Sequence, residues 1–167
     1  MDGGGVERIV RRPAEGEREV LTEAVLDEVQ GLIGDSWLAR GSSRTADGLS
    51  NPDAQVTVMN ARVAALVAGQ SERWQLAGDQ LYVDLDLSQD NLPAGTRLDI
   101  GSAIIEVSAH PHLGCKLFEE RFGRDALWFV NSPVGRQLRL RGLNAKVVEP
   151  GTVHVGDVVR KRPSLAS

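Results

Sequence analysis

Cys115 is the only cysteine of the 167-residue chain, and its neighbours favour a reactive thiol. A lone cysteine cannot close an intrachain disulfide, so it is either a small buried apolar residue or a chemical group. The stretch from Cys115 to Arg121 predicts a short helix, whose first turn favours a thiolate through unpaired N–H groups and the helix dipole. Lys116 and His112 add positive charge nearby. We therefore expect an accessible thiol in a cleft at a helix N-terminus, although free cysteines are more often buried and structural.

Two histidines, His110 and His112, precede Cys115 in a His-x-His-x-x-Cys string. Such a string can supply three ligands to zinc or another transition metal. The spacing is a weak signal, however. The favoured interpretation has one histidine facing solvent at a strand end and the other hydrogen-bonded to loop backbone.

The elements that must position these residues are short and mostly extended. Period-two alternation and turn residues predict a mainly β barrel or sandwich with short helical insertions. The predicted strands are 56–58, 81–86, 97–100, 103–109, 138–140, 145–148 and 153–159, with a hairpin turn at Gly101-Ser102. The predicted helices are 60–67, 115–121 and 125–130. The segment from Glu19 to Ile33 fits either a helix or extended structure.

Apolar residues that alternate with polar neighbours are predicted to point into one common core. They are Val83, Leu85, Ile100, Ile105, Val107, Leu138, Leu140 and Val148. The segment from Gly41 to Asp53 is rich in Gly, Ser, Asn and Asp and predicts a long surface loop. We expect this loop to be mobile without ligand and to border the cysteine pocket, because binding residues concentrate on loops carried by a rigid scaffold.

Charge and hydropathy exclude several classes of protein. With 19 basic and 23 acidic residues the formal net charge is −4, which disfavours nucleic acid or an anionic membrane as partner. No apolar run approaches the roughly 20 residues of a membrane-spanning helix. The N-terminus lacks the pattern of a signal peptide, so we expect a cytoplasmic protein. Residues 1–5 are predicted to be flexible, 6–162 to form a single domain, and 163–167 to form a C-terminal tail.

An ordered set of motifs spans nearly the whole chain. The motifs are Gly31-Leu32-Ile33-Gly34-Asp35, Gln55-Val56-Thr57-Val58, Gly78-Asp79-Gln80-Leu81, Leu98-Asp99-Ile100-Gly101-Ser102-Ala103, Gly114-Cys115-Lys116-Leu117-Phe118 and Gly151-Thr152-Val153. Together they resemble the molybdenum cofactor sulfurase C-terminal domain, known as the MOSC domain, from about Val6 to Arg160. The chain looks like a small stand-alone member. It departs from the family where Ser36-Trp37 replace a basic residue and a histidine, and where Gly114 replaces a common proline.

The resemblance implies a compact MOSC-like β-barrel that works with sulfur or the molybdenum cofactor. Cys115 is implied as the catalytic residue, either a persulfide carrier or a molybdenum ligand. The candidate cofactor-binding residues are Arg139, Arg141, Arg124 and Asn131. On the predicted strand Arg139 and Arg141 share one face, from which they can hold a pterin phosphate through bidentate hydrogen bonds. The simpler interpretation is the solvated face of an amphipathic strand.

Two functional hypotheses from different classes follow. In the first the chain is a sulfurtransferase with a sulfur-donor protein, or a molybdenum cofactor-dependent oxidoreductase with an electron-transfer protein. The electron source is expected to be another protein, because the sequence shows no iron–sulfur cysteine set and no dinucleotide fingerprint. Pyridoxal phosphate is not expected, since Lys116, Lys146 and Lys161 lie in no recognisable context for it. In the second the chain is a non-catalytic cofactor- or partner-binding barrel with a structural cysteine.

Overall fold

The computed structural model describes residues 3–164, and strands form its frame. The strands are β1 Gly3–Arg11, β2 Glu19–Leu21, β3 Glu23–Asp27, β4 Gly31–Leu32, β5 Val56–Asn60, β6 Leu81–Val83, β7 Arg97–Ile100, β8 Ala103–Val107, β9 Leu143–Glu149, β10 Gly151–His154 and β11 Val158–Lys161. The α-helices are α1 Trp37–Arg40, α2 Ala61–Ala68, α3 Lys116–Phe122, α4 Arg124–Asn131 and α5 Pro133–Gln137. Two 3₁₀ helices cover Pro52–Ala54 and Ser71–Ala77.

A closed mixed barrel organises these strands, as the sequence predicts. Its order is β1-β6-β5-β9-β8-β7-β11, and β11 pairs back with β1. β5 and β6 pair in parallel, so the chain between them must cross over, which it does through α2 and the second 3₁₀ helix. The strands β10, β3 and β4 pair with one another in that order and form a separate small sheet.

The barrel interior is the main core, and a second apolar cluster lies behind β6. The interior contains Val58, Leu81 and Ile105, which are at most 1% exposed. The second cluster packs Tyr82 and Met59 against the crossover helices. β6 is therefore buried on both faces, although alternation predicts a half-buried strand.

Most of the predicted core is confirmed, with informative exceptions. Val83, Leu85, Ile100, Ile105 and Val107 are at most 1% exposed. The prediction is wrong for Leu138, which is 45% exposed, and for Leu140 and Val148, which are half-buried. Val147 takes the inward position instead of Val148, because it continues the alternation of the buried Leu143 and Ala145 along β9.

The predicted strand at 138–140 is wrong because a helix begins just before it. Ser132 Oγ accepts a hydrogen bond from the Gly135 N–H, and Pro133 occupies the first helical position of α5. After Gln137 the chain turns, with Arg139 at a φ of 50°. Arg139 and Arg141 therefore lie in a turn and do not share a strand face.

The predicted strand 153–159 is wrong as one element, because a turn after His154 separates β10 from β11, and the strand predicted at 81–86 ends at Val83. The remaining element predictions hold to within one or two residues. The undecided segment from Glu19 to Ile33 is extended, as β2, β3 and β4. The three predicted helices are α2, α3 and α4, and Asn60 Oδ1 caps α2 by accepting from the Arg62 N–H at 2.8 Å. β7 and β8 form the predicted hairpin around Gly101-Ser102.

The N-terminal glycines are part of the barrel. Gly3, Gly4 and Gly5 pair with β11, although they belong to the segment predicted to be flexible. A Cβ at Gly4 would lie 1.6 Å from the Asp84 carbonyl oxygen, so close approach of two backbones requires glycine here. Residues 1, 2 and 165–167 lie outside the described part of the chain. Between residues 3 and 164, every helix is too short or too polar to cross a membrane.

Candidate functional site

Cys115 is exposed and immediately precedes α3, as the sequence predicts. The side chain of Asn131 on α4 binds both the N–H and the carbonyl oxygen of Gly114, the residue before the cysteine. Asn131 Oδ1 accepts from the Gly114 N–H, and Asn131 Nδ2 donates to the Gly114 carbonyl oxygen, both at 2.9 Å. Asn131, predicted to contact a cofactor, thus positions the thiol through Gly114.

Gly114 has no room for a side chain. A Cβ there would lie 2.8 Å from Leu127 Cδ1 and 3.0 Å from Val130 Cγ2, both on α4. The loop can therefore pack directly on α4 only with glycine before the cysteine. The packing fixes where α3 begins and where the thiol emerges.

His112, Asp79 and Arg141 form a buried charged cluster, which we call the Asp79 cluster. His112 Nε2 lies 2.6 Å from Asp79 Oδ1, and Arg141 Nη1 donates to Asp79 Oδ2. Arg141 Nη2 also donates to the Ala77 carbonyl oxygen at 2.8 Å. The Asp79 side chain is fully buried and Arg141 is 6% exposed, so the cluster is a built part of the protein interior. The Arg141 guanidinium carbon lies 5.1 Å from the centre of the Phe118 ring on α3.

The protonation states follow from these contacts. Burial raises the pKa of Asp79, but the charges of Arg141 and His112 and their hydrogen bonds lower it to about 2. Burial and the positive charge of Arg141 lower the pKa of His112, and together they outweigh the opposing pull of Asp79. At neutral pH Asp79 is therefore a carboxylate and His112 a neutral imidazole. Its Nε2 then carries the proton donated to Asp79, and its Nδ1 carries a lone pair.

A cleft of about 420 Å³ lies beside this cluster, and we call it the cationic cleft. Its charged or titratable lining consists of His110, His112, Arg136, Arg139 and Arg141, with no carboxylate among the lining residues. Arg141 Nε is buried and has no hydrogen-bond partner among the described residues. An unsatisfied guanidinium donor in a wall without acidic groups suits an anionic ligand.

The other predicted cofactor-binding residues have different surroundings. Arg139 lines the cationic cleft, but its Nη1 donates to the carbonyl oxygens of Leu87 and Leu92 at 3.2 and 2.6 Å and so holds the loop before β7. Arg124 is exposed at the start of α4 and lines a separate groove with Trp128 and Asn131. Cys115 does not line the cationic cleft, whereas Leu113, two residues earlier, does. The thiol is thus exposed, but it does not line the cationic cleft.

The sequence pointed to Asp79 and His112 without assigning either its role. Asp79 lies in the Gly78-Asp79 motif, which carries the family resemblance without giving this carboxylate a role. His112 was considered for a zinc site with His110 and Cys115. Within residues 3–164 no group of three or more His, Cys, Asp and Glu side chains is arranged to hold a metal ion. Arg136 lies in α5, a helix that the sequence analysis does not predict.

The loop from Gly41 to Asp53 reaches the site through its last residue. The single Ser108 O–H lies within hydrogen-bonding distance of the carbonyl oxygens of Asp53 and Asn144, either of which can accept it, and Ser108 lines the cationic cleft. Elsewhere the loop bonds to itself and to α1, as where Ser50 Oγ donates to the Trp37 carbonyl oxygen. Its mobility stays a prediction.

Comparison with known proteins supports one family. The family model described as the MOSC domain matches residues 45–160. Among solved structures, the YuaD protein from Bacillus subtilis superposes with a TM-score of 0.69 at 15% identity, covering 94% of each chain. YiiM from Escherichia coli gives 0.62 at 20% identity, covering 98% of this chain and 72% of that one. YiiM from Geobacillus stearothermophilus gives 0.55 at 11% identity, covering 96% and 73%. These structures share the fold, and no curated protein matches the sequence.

Proposed function

Because this chain belongs to the MOSC domain family, we propose that it binds a pterin-type molybdenum cofactor with Cys115 as a ligand of the metal. The observation that carries the proposal is the cationic cleft, where the buried Arg141 Nε lacks a partner. Cys115 lies two residues beyond Leu113, which lines this cleft. An anion-binding cavity near an exposed thiol is the combination that such a cofactor requires.

The residues present fit the cofactor. A volume of about 420 Å³ lies within the roughly 300 to 1,000 Å³ typical of small-molecule sites. Arg136, whose Nε donates to the Asn131 carbonyl oxygen, would hold the terminal phosphate through its two Nη groups, and Arg141 would add its unpartnered Nε–H. Cys115 would supply a thiolate, which is a soft ligand suited to a transition metal.

When bound, the cofactor supplies the redox chemistry at its metal. The chain's own residues bind, orient and handle protons. Asn131 fixes Gly114 and with it the direction from which Cys115 approaches. Asp79 accepts the Nε2–H of His112, so His112 Nδ1 is free to accept a proton in the cationic cleft.

A second candidate is a sulfur carrier, favoured by the exposure of Cys115 outside the cleft lining. In that role the Cys115 thiolate attacks the terminal sulfur of a donor protein's persulfide. A new sulfur–sulfur bond forms on Cys115, the donor's bond breaks, and the donor's thiolate leaves, with no net oxidation. This route requires an accessible thiol and a donor protein.

Metal and sulfur analysis separates the two candidates. We expect protein purified from a host that makes the cofactor to contain molybdenum near stoichiometry, and Cys115→Ser to lose it. Arg136→Gln should lower the molybdenum content, whereas Arg44→Gln, an exposed arginine of the 41–53 loop, should not. Cyanide-labile sulfur without molybdenum would overturn cofactor binding in favour of the carrier. Absence of both molybdenum and cyanide-labile sulfur would favour the hypothesis of a non-catalytic binding module.

A further inference from the structure

Four arginines bond to four successive carbonyl groups at the end of the second 3₁₀ helix. The pairs are Arg18 Nε with Gln75 O at 3.2 Å, Arg121 Nη1 with Leu76 O at 2.9 Å, Arg141 Nη2 with Ala77 O at 2.8 Å, and Arg12 Nη1 with Gly78 O at 3.2 Å. They come from the chain before β2, from α3, from the turn after α5 and from the segment following β1. The fold thus gathers four positive charges around one short segment.

Only two of these charges are neutralised. Arg12 pairs with Asp35 at 2.8 Å, and Arg141 pairs with Asp79. Arg18 and Arg121 have no carboxylate partner among residues 3–164. Burial and the nearby charges of Arg121 and Arg12 lower the pKa of Arg18, so the arginines repel one another as they stand. An arrangement that brings unpaired like charges together in an acidic chain needs an anion to relieve it.

The two unpaired arginines approach each other beside Gly78. Gly78 has a φ of 86° and no side chain, and the position a Cβ would take there lies 3.4 Å from Arg18 Nη2 and 3.8 Å from Arg121 Nη1. Arg18 Nη2 makes no hydrogen bond to the described residues, and neither do Nη2 and Nε of Arg121. Neither arginine lines the cationic cleft.

We propose that Arg18 and Arg121 form a phosphate-binding site above Gly78, separate from the cationic cleft. Two guanidinium groups with free N–H donors match the charge of a phosphate dianion and its several acceptor oxygens. A side chain at position 78 would extend between the two guanidinium groups and obstruct an anion there. Carbonyl bonds use Nε and Nη1 of Arg18 and one N–H of Arg121 Nη1. They leave Arg18 Nη2 and the second N–H of Arg121 Nη1, the two atoms nearest Gly78, to bind an anion.

Phosphate binding to cofactor-free protein tests this site without reference to molybdenum. Isothermal titration at low salt, where such contacts are least screened, should show saturable binding of inorganic phosphate or of phenyl phosphate. Arg18→Gln and Arg121→Gln should each weaken binding by about tenfold, the effect of losing a charge-assisted hydrogen bond. Arg44→Gln is the matched control and should change nothing, because Arg44 is exposed and its side chain has no hydrogen-bond partner among the described residues. Equal affinity for both probes indicates a site for the free ion, and tighter phenyl phosphate indicates a phosphate ester; either supports the site.

The controls keep the outcome decisive. Arg18→Lys and Arg121→Lys retain the charge without the planar fork, so they should fold and bind with intermediate affinity, which separates loss of binding from loss of folding. Absence of saturable binding to the folded protein would overturn the proposal, as would binding unchanged in both glutamine variants. Both glutamine variants should keep their molybdenum content. If they lose it while Arg136→Gln does not, the arginines serve the cofactor and the separate site is refuted.

Discussion

Among single residues, Asp79 is the charge on which the Asp79 cluster depends. Its two oxygens are divided between His112 and Arg141, and its side chain is completely buried. A buried ion pair is weak evidence for net stability, but removing one partner leaves the other charge without compensation. Asp79 therefore determines both the burial of Arg141 and the tautomer of His112.

Asp79→Asn should lower the free energy of unfolding by about 3 to 5 kcal/mol at neutral pH, because Arg141 would remain buried without its counter-charge. Urea denaturation followed by circular dichroism measures the change. Asp90→Asn, which alters an exposed carboxylate bonded to Gln137, should cost no more than about 0.5 kcal/mol. Similar losses in the two variants would show that the Asp79 cluster contributes no specific stability.

Stability should fall in two stages on acidification. His112 has a folded pKa below its ordinary value of 6.5, so the unfolded chain binds the proton first and stability declines as the pH falls below 6.5. Asp79 has a folded pKa of about 2 against an ordinary 3.8, so its contribution of about 2 kcal/mol is lost as the pH falls from 3.8 towards 2. The groups that face His112 are Asp79, Arg141 and Arg12.

His112→Gln removes the upper stage only, so unfolding free energies measured from pH 7.5 to 5 should become flatter. His110→Gln, which changes an exposed histidine of the same loop, should leave that stage in place. An unaltered profile in His112→Gln would mean that His112 titrates alike in the folded and unfolded chain.

At the scale of elements, α4 governs the thiol through the loop it packs against. Asn131 on α4 holds both polar groups of Gly114, and Leu127 and Val130 on the same helix leave no space for a side chain there. The position of Cys115 is thus set by a helix that follows it in the chain.

Asn131→Ala should destabilise the protein by about 1 to 2 kcal/mol, since the Gly114 N–H and carbonyl lose their partners. Hydrogen exchange at residues 112–116 should accelerate more than exchange in the barrel strands, because the loop is released while the barrel stays closed. Ser132→Ala, which removes the neighbouring cap of α5, serves as control and should accelerate exchange in α5 instead. Equal exchange in this loop for both variants would refute the positioning role of Asn131.

The elements that sequence predicts best are those with local signals. Asn60 marks the start of α2, and alternation marks the hairpin strands β7 and β8. The same alternation misleads at Leu138 and Leu140, because Ser132 and Pro133 start α5 and the chain leaves this helix in a turn. The Asp79 cluster could not be derived at all, since Asp79 meets His112 and Arg141 across 33 and 62 positions of sequence. Contacts of that separation exist only after the barrel has closed.

Considered as a whole, the molecule depends on β1 to close its barrel. β1 pairs with β11 through Gly3–Gly5, with β6 through Val6–Ile9 and with β2 through Ile9–Arg11. The first of these contacts completes the circle of strands. The closing contact gives each of the seven barrel strands two neighbours, so neither β1 nor β11 offers an unpaired edge to another chain at this point.

Gly4→Ala should therefore unfold the protein more readily than any ordinary surface change, although it lies near the chain terminus. Its Cβ would lie 1.6 Å from the Asp84 carbonyl oxygen, which is backbone and cannot swing away, so β1 must separate from its neighbours. We expect a loss of about 3 kcal/mol, the upper range for forced overpacking. Gly5→Ala is the matched control, because its nearest contact is the Asp157 carbonyl oxygen at 3.9 Å, and it should stabilise the protein by about 0.5 kcal/mol. Urea unfolding of the two variants compares them directly. If both alanines are equally harmless, Gly3–Gly5 do not close the barrel in solution and the N-terminus is flexible, as composition alone predicts.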